Sequence, residues 1–179
     1  MQFGKQNFVA SSAAVAVGAT AGDGDYVFEI FAGGNGVVLN SVAFTPVVLE
    51  DTTEQVFKFW RRPKAGTDTD QRAVTINAAD GTGATSMTVP TDQAAGDVFR
   101  VYFGGDGDED HVLNPGESLA IELDQRGTAV ANSTGVFTVH GYQFEVGAAV
   151  PVKGGLNGLT GDQDKPNSNG AGNIRNLVG

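Results

Sequence analysis

Short runs of strict apolar/polar alternation recur through the middle of this chain, and they limit what it can fold into. Phe57 and Phe59 alternate with Val56, Lys58 and Trp60, and Phe99, Val101 and Phe103 with Val98, Arg100 and Tyr102. Leu119, Ile121 and Leu123 face away from Glu122 and Asp124. Successive strand side chains point to opposite faces, so such runs predict half-buried strands. The same period assigns Tyr26, Phe28 and Ile30 to one face, and Val38, Asn40, Val42 and Phe44 to another. Val74 and Ile76 mark RAVTIN, and Met87 and Val89 mark SMTV. Phe137 and Val139 continue as Tyr142, Phe144 and Val146, with a phase shift at Gly141 that predicts a β-bulge. An Ala/Ser/Val run at 8–17 supplies a first strand.

Turn signals separate these runs: GDGD at 22–25, GGNG at 33–36, ADGTG at 79–83, NPGE at 114–117 and NSTG at 132–135. Helical spacing is hard to find, and 26 glycines punctuate the chain. The expected fold is therefore an all-β antiparallel sandwich, of jelly-roll type. An immunoglobulin-like sandwich is the rival. The single Trp60 argues against it, because it lies on the side of Lys58 and Arg62, opposite Phe57 and Phe59.

The length fits one domain with an arm. We expect an N-terminal segment with the first strand at 1–24, the sandwich at 25–150 and an extended arm at 151–179. The arm has no hydrophobic period, and its large apolar residues stand far apart. Such a segment buries too little surface to fold alone. It is expected to lie against a partner chain, with Leu156, Leu159, Ile174 and Leu177 as anchors. That pattern belongs to an assembly component.

Charge and composition exclude other classes. With 11 Lys and Arg against 21 Asp and Glu, the net charge is −10, whereas nucleic-acid binding draws on basic patches. No nucleic-acid partner is expected. No stretch approaches the ~18 apolar residues of a membrane span. The first residues carry one Lys, and Ser and Ala dilute their apolar stretch, so secretion by a signal peptide is not expected. Cysteine is absent, which removes disulfides and thiolate metal sites.

The densest acidic cluster spans 104–124. Asp106, Asp108, Asp110, Asn114 and Glu117 match positions 1, 3, 5, 9 and 12 of a calcium loop, and hard oxygens at that spacing suit Ca²⁺. His111 stands where the loop needs glycine, Pro115 follows, and the flanks read as strands. These departures favour a solvated acidic loop closed by a type II turn at Asn114-Pro115-Gly116. No cofactor is otherwise expected. No nucleophile elbow, P-loop or dinucleotide fingerprint is present, and His140 shares the outward face of Thr138. An enzyme is not expected. The one basic cluster, FKFWRRPKAG, offers Lys58, Trp60 and Arg62 as an interface with an aromatic anchor, or as a protected edge strand.

Taken with the strand series, the LNPGESL turn-and-strand at 113–119 and the arm, the chain resembles the head decoration (cement) proteins of tailed bacteriophages built on a jelly roll. The resemblance implies a virion protein, made in the host cytoplasm. It would bind the major capsid protein on the outside of the shell, as a homotrimer, and reinforce it. The alternative is a carbohydrate- or receptor-binding sandwich module of a phage tail or fibre. That reading predicts a shallow aromatic site at Trp60, Tyr102 or Tyr142.

Overall fold

Alternation in the sequence becomes two antiparallel sheets packed face to face. The computed structural model describes residues 5–48, 54–63, 66–67, 70–77, 83–91, 94–104, 111–128 and 131–144. The chain divides into a compact unit, Gln6–Gln143, and a second unit of residues 1–5 with 144–179, nearly all of which lies outside the described residues. The expected arm falls in that second unit.

Among the described residues there are strands and no helix. They are β1 (Lys5–Ser11), β2 (Val15–Ala16), β3 (Asp25–Phe31), β4 (Val37–Val48), β5 (Gln55–Arg62), β6 (Arg72–Ala73) and β7 (Ile76–Asn77). β8 (Gly83–Ala84), β9 (Ser86–Val89), β10 (Phe99–Phe103), β11 (Val112–Leu113), β12 (Ser118–Gln125) and β13 (Thr134–Phe144) follow. One sheet runs β1-β13-β4-β10-β7-β8, with β2 beside β13 and β11 beside β4. The other runs β3-β12-β5-β6, with β9 also beside β5. The pairing is nested. β1 and β2 meet β13, β3 meets β12, β4 meets β10 and β11, and β5 meets β6 and β9.

The core is where the inward faces meet. Phe57, Phe59, Leu119, Ile121, Leu123, Phe137 and Val139 are fully buried, as alternation requires. Phe44 and Phe137, from one sheet, pack on Phe57 of the other with ring centroids 4.9–5.0 Å apart. Phe59 meets Phe103 edge-on at 5.7 Å. Each such side chain contributes about 1.5–3 kcal/mol by burial, and edge-on pairs add to it. Gly135 makes room for this cluster: a Cβ there would collide with the ring of Phe44. Gln55 is also fully buried on the inward face, and its amide has no hydrogen-bond partner among the described residues.

Three local expectations are corrected. The bulge at Gly141 exists, but the inserted residue is Asn40: His140 pairs with Ser41 and Gly141 with Leu39. The phase change therefore falls on β4, where Val37 and Leu39 are buried instead of Val38 and Asn40. A second register shift between Ile121 and Glu122 skips Val27, so that Phe28 pairs with Ile121 and Tyr26 with Glu122. Val27 and Phe28 both pack on the core, and Tyr26 is turned beneath Arg62. Third, RAVTIN is two strands in different sheets. Val74 N–H donates to Phe59 C=O at 2.8 Å, and Ile76 pairs with Phe103 in the opposite sheet. Two buried side chains on one short segment are satisfied by crossing the sandwich at Val74 and Thr75.

Candidate functional site

The outer face of the β3-β12-β5 sheet carries the basic cluster that the sequence singles out, Lys58, Trp60 and Arg62. Phe57 and Phe59 point inward on β5, so Lys58 and Trp60 point outward. Trp60 lies between Ala120 on β12 and Ala73 on β6, which are small enough for the indole to spread across them. Its Nε1–H donates to Glu122 Oε1. Lys58 pairs with Asp124 at 3.1 Å, both half-exposed.

Arg62 departs from the expected exposed triad, being only 3% exposed. Its Nη1 donates to Glu29 Oε1 at 3.0 Å, and its guanidinium lies 3.9 Å from the centroid of the Tyr26 ring. Glu29 Oε2 also accepts from the Ser118 hydroxyl at 2.7 Å and from the Gly66 N–H at 2.9 Å. Gln71 bonds the Tyr26 hydroxyl at 3.0 Å. Gly66 and Gln71, which lie between β5 and β6 in the chain, both reach this end of the sheet. Sequence alternation gives the face of Arg62, but not what covers that face. The outward surface here is therefore Lys58 and Trp60, with Glu122 and Asp124 across from them.

The calcium spacing resolves into two parts. Asp106, Asp108 and Asp110 lie outside the described residues. The flanking strands do not lead into different sheets: β10 pairs with Ser41–Phe44 and β11 with Val37–Val38 of the same strand, β4. Glu117 sits at the corner where the chain crosses to β12. The carboxylate accepts from Arg61 Nε at 2.6 Å and Nη2 at 3.2 Å. It also accepts from the Asn114 backbone and side-chain nitrogens at 3.3 and 3.1 Å. Burial pushes the Glu117 carboxyl up. The hydrogen bonds from Arg61 and Asn114 and the Arg61 charge outweigh it and hold the group below its usual range. The Asn114-Pro115-Gly116 turn closes as expected, with Gly116 at φ 89° and Glu117 N–H on Asn114 C=O at 3.0 Å. Its neighbour is the β3–β4 corner: Ala32 N–H donates to Glu117 C=O at 2.9 Å, and Gly116 N–H to Gly33 C=O at 3.1 Å. Among the described residues no His, Asp and Glu cluster suited to a metal ion occurs.

Leu156, Leu159, Ile174 and Leu177 also lie outside the described residues. His140 faces outward in register with Ser41 and, across β4, with Tyr102. Two features escape the sequence. The first is a pair of sheet edges. Among the described residues β1 pairs only with β13, and β3 only with β12. Each edge presents a large apolar side chain, Val9 and Phe31, both 59% exposed. The second is a groove between β9 and β10. Neither could be found from alternation, because strand order is decided by pairing across the whole chain. Compared with known proteins, the chain matches no family model and no curated protein.

Proposed function

We propose that this protein is a non-enzymatic structural component that binds the outside of a capsid shell and stabilises it. The observation that carries this reading is that β1 and β3 each have one partner strand among the described residues, with Val9 and Phe31 exposed on them. An open edge is a template for pairing with another chain. Proteins that stay monomeric usually blunt it with charge, proline or a bulge; β3 has a bulge at Val27, so the stretch offered to a partner is the one beyond it, ending at the exposed Phe31. An apolar side chain set into such an edge gives a partner both backbone bonds and a hydrophobic contact.

The use of charge supports the same reading. Lys58–Asp124, Arg61–Glu117 and Arg62–Glu29 each tie one element of the sandwich to another. These ion pairs serve the fold. A net charge of −10 suits a surface turned away from the genome. The nested pairing supports a jelly roll, in which strands equally distant from the two ends lie side by side. In this reading the sandwich spans shell subunits as a trimer. The segment 151–179 adds Leu156, Leu159, Ile174 and Leu177 as contacts along a neighbour, and Lys58 and Trp60 form a further contact. Several modest contacts on a repeating lattice combine into high avidity.

The test is co-sedimentation of the purified protein with empty capsid shells and with unassembled capsid subunits. Saturable binding to shells, and little to free subunits, is expected. Absence of shell binding contradicts the proposal, whatever else the protein binds.

A further inference from the structure

The flank of the sandwich away from β1 and β3 holds a groove of about 430 Å³. Strand pairing explains it. β7 pairs with Tyr102 and Phe103 of β10. Thr85 then carries the chain from β8 across to β9, whose partner is β5 in the other sheet. The gap left between β9 and β10 has an apolar floor that includes Ile76 and Met87, and a polar rim that includes Asn77, Thr88, Arg100 and Tyr102. Its size falls in the range of small-molecule sites, roughly 300–1,000 Å³.

The rim has two notable features. Tyr102 is 57% exposed, and its register partners are Asn77 on one side and the small Ser41 on the other. Its ring therefore stands clear of the sheet as a flat amphipathic surface. Arg100, the next outward residue on β10, donates from Nη1 to the Ser41 hydroxyl at 3.2 Å. Among the described residues no carboxylate pairs with it, although the chain has 21 Asp and Glu against 11 Lys and Arg. Its remaining donors form a fork suited to a planar anion.

We propose that this groove binds a carboxylate-bearing sugar, a uronic-acid unit of a polysaccharide. Tyr102 stacks on the pyranose face. Arg100 takes the carboxylate. Asn77 and Thr88 hydrogen-bond the hydroxyls. The groove uses neither β1 nor β3, so sugar binding is independent of shell binding.

The test titrates the full-length chain with oligogalacturonate, oligoglucuronate and a neutral gluco-oligosaccharide, by calorimetry and by NMR shift mapping. An acidic oligomer should bind at least about tenfold more tightly than the neutral one, because charge-assisted hydrogen bonds are the strong ones. The shifts should centre on β7, β9 and β10. Arg100→Gln should reduce acidic binding to the neutral level, Arg100→Lys should retain part of it, and Tyr102→Ala should abolish both. Both side chains are exposed, so each variant should melt as the parent does. Shift mapping on the parent chain keeps the test valid if a variant does not. No binding of any acidic oligomer, equal affinity for the neutral one, or shifts away from the groove would overturn the proposal.

Discussion

Arg61 grips Glu117 with two hydrogen bonds, at 2.6 and 3.2 Å, and so fastens β5 to the corner that opens β12. Both side chains are mostly buried. The residue that would complete a calcium loop by spacing is instead the anchor of a sheet-crossing turn.

This pair sets a pH dependence. The Glu117 carboxyl is held below its usual range in the folded chain, so folding favours its ionised form. Its stabilisation is fully present above the unfolded value of about 4.3 and is lost as pH falls through the lower folded value. Glu117→Gln should cost about 1.5–3 kcal/mol at neutral pH, the range for hydrogen bonds to a charged group. It should also flatten the decline in melting temperature between neutral pH and the acid range. A variant that declines as steeply as the parent would show that other carboxylates govern acid unfolding.

Calcium should leave the sandwich unmoved. A ligand held only by the folded state raises its stability, and chelation would reverse that. With Glu117 committed to Arg61 and Asn114, added Ca²⁺ or EDTA should produce no measurable change in melting temperature. A rise with Ca²⁺ that EDTA reverses would contradict this.

Glu29 and Arg62 form the most enclosed ion pair among those described, at 3.0 Å with Arg62 almost fully buried. Removing one partner strands the other charge, at a cost of about 3–5 kcal/mol. Glu29→Ala should therefore destabilise strongly. The double variant Glu29→Leu with Arg62→Met should recover much of the loss. Equal losses in single and double variants, read by urea unfolding, would show that the cost lies in packing alone.

Gly135 gives its Cβ space to the Phe44 ring. Gly135→Ala should push that ring into Phe57 and Phe137 and cost about 1–3 kcal/mol, the range for overpacking a filled core. Pairing it with Phe44→Leu should restore part of the loss. No loss in the single variant would mean that the aromatic cluster has slack.

The inward rows were legible because alternation depends only on neighbours along the chain. Phe57 and Phe59, Leu119 to Leu123, and Phe137 and Val139 follow from it directly. Tyr26 and Val38 did not, since their faces are decided by register shifts at Ile121/Glu122 and at His140/Gly141. The second was foreseen from Gly141, but the sequence alone does not tell which of two paired strands carries the extra residue. Arg62 was misplaced for a different reason. Its outward direction holds, but Glu29, Gln71 and Tyr26 enclose it. The groove at Arg100 and Tyr102 depends on β8 and β9 joining different sheets. Only the assembled sheet decides that.

The protein's proposed role is to hold a shell together. If it does, particles assembled without it should form normally, yet release their contents at a lower temperature and after milder osmotic shock. Linkage to the assembled lattice predicts that adding back the purified protein restores the rupture temperature in a saturable way. Particles that are equally robust with and without it would contradict the account.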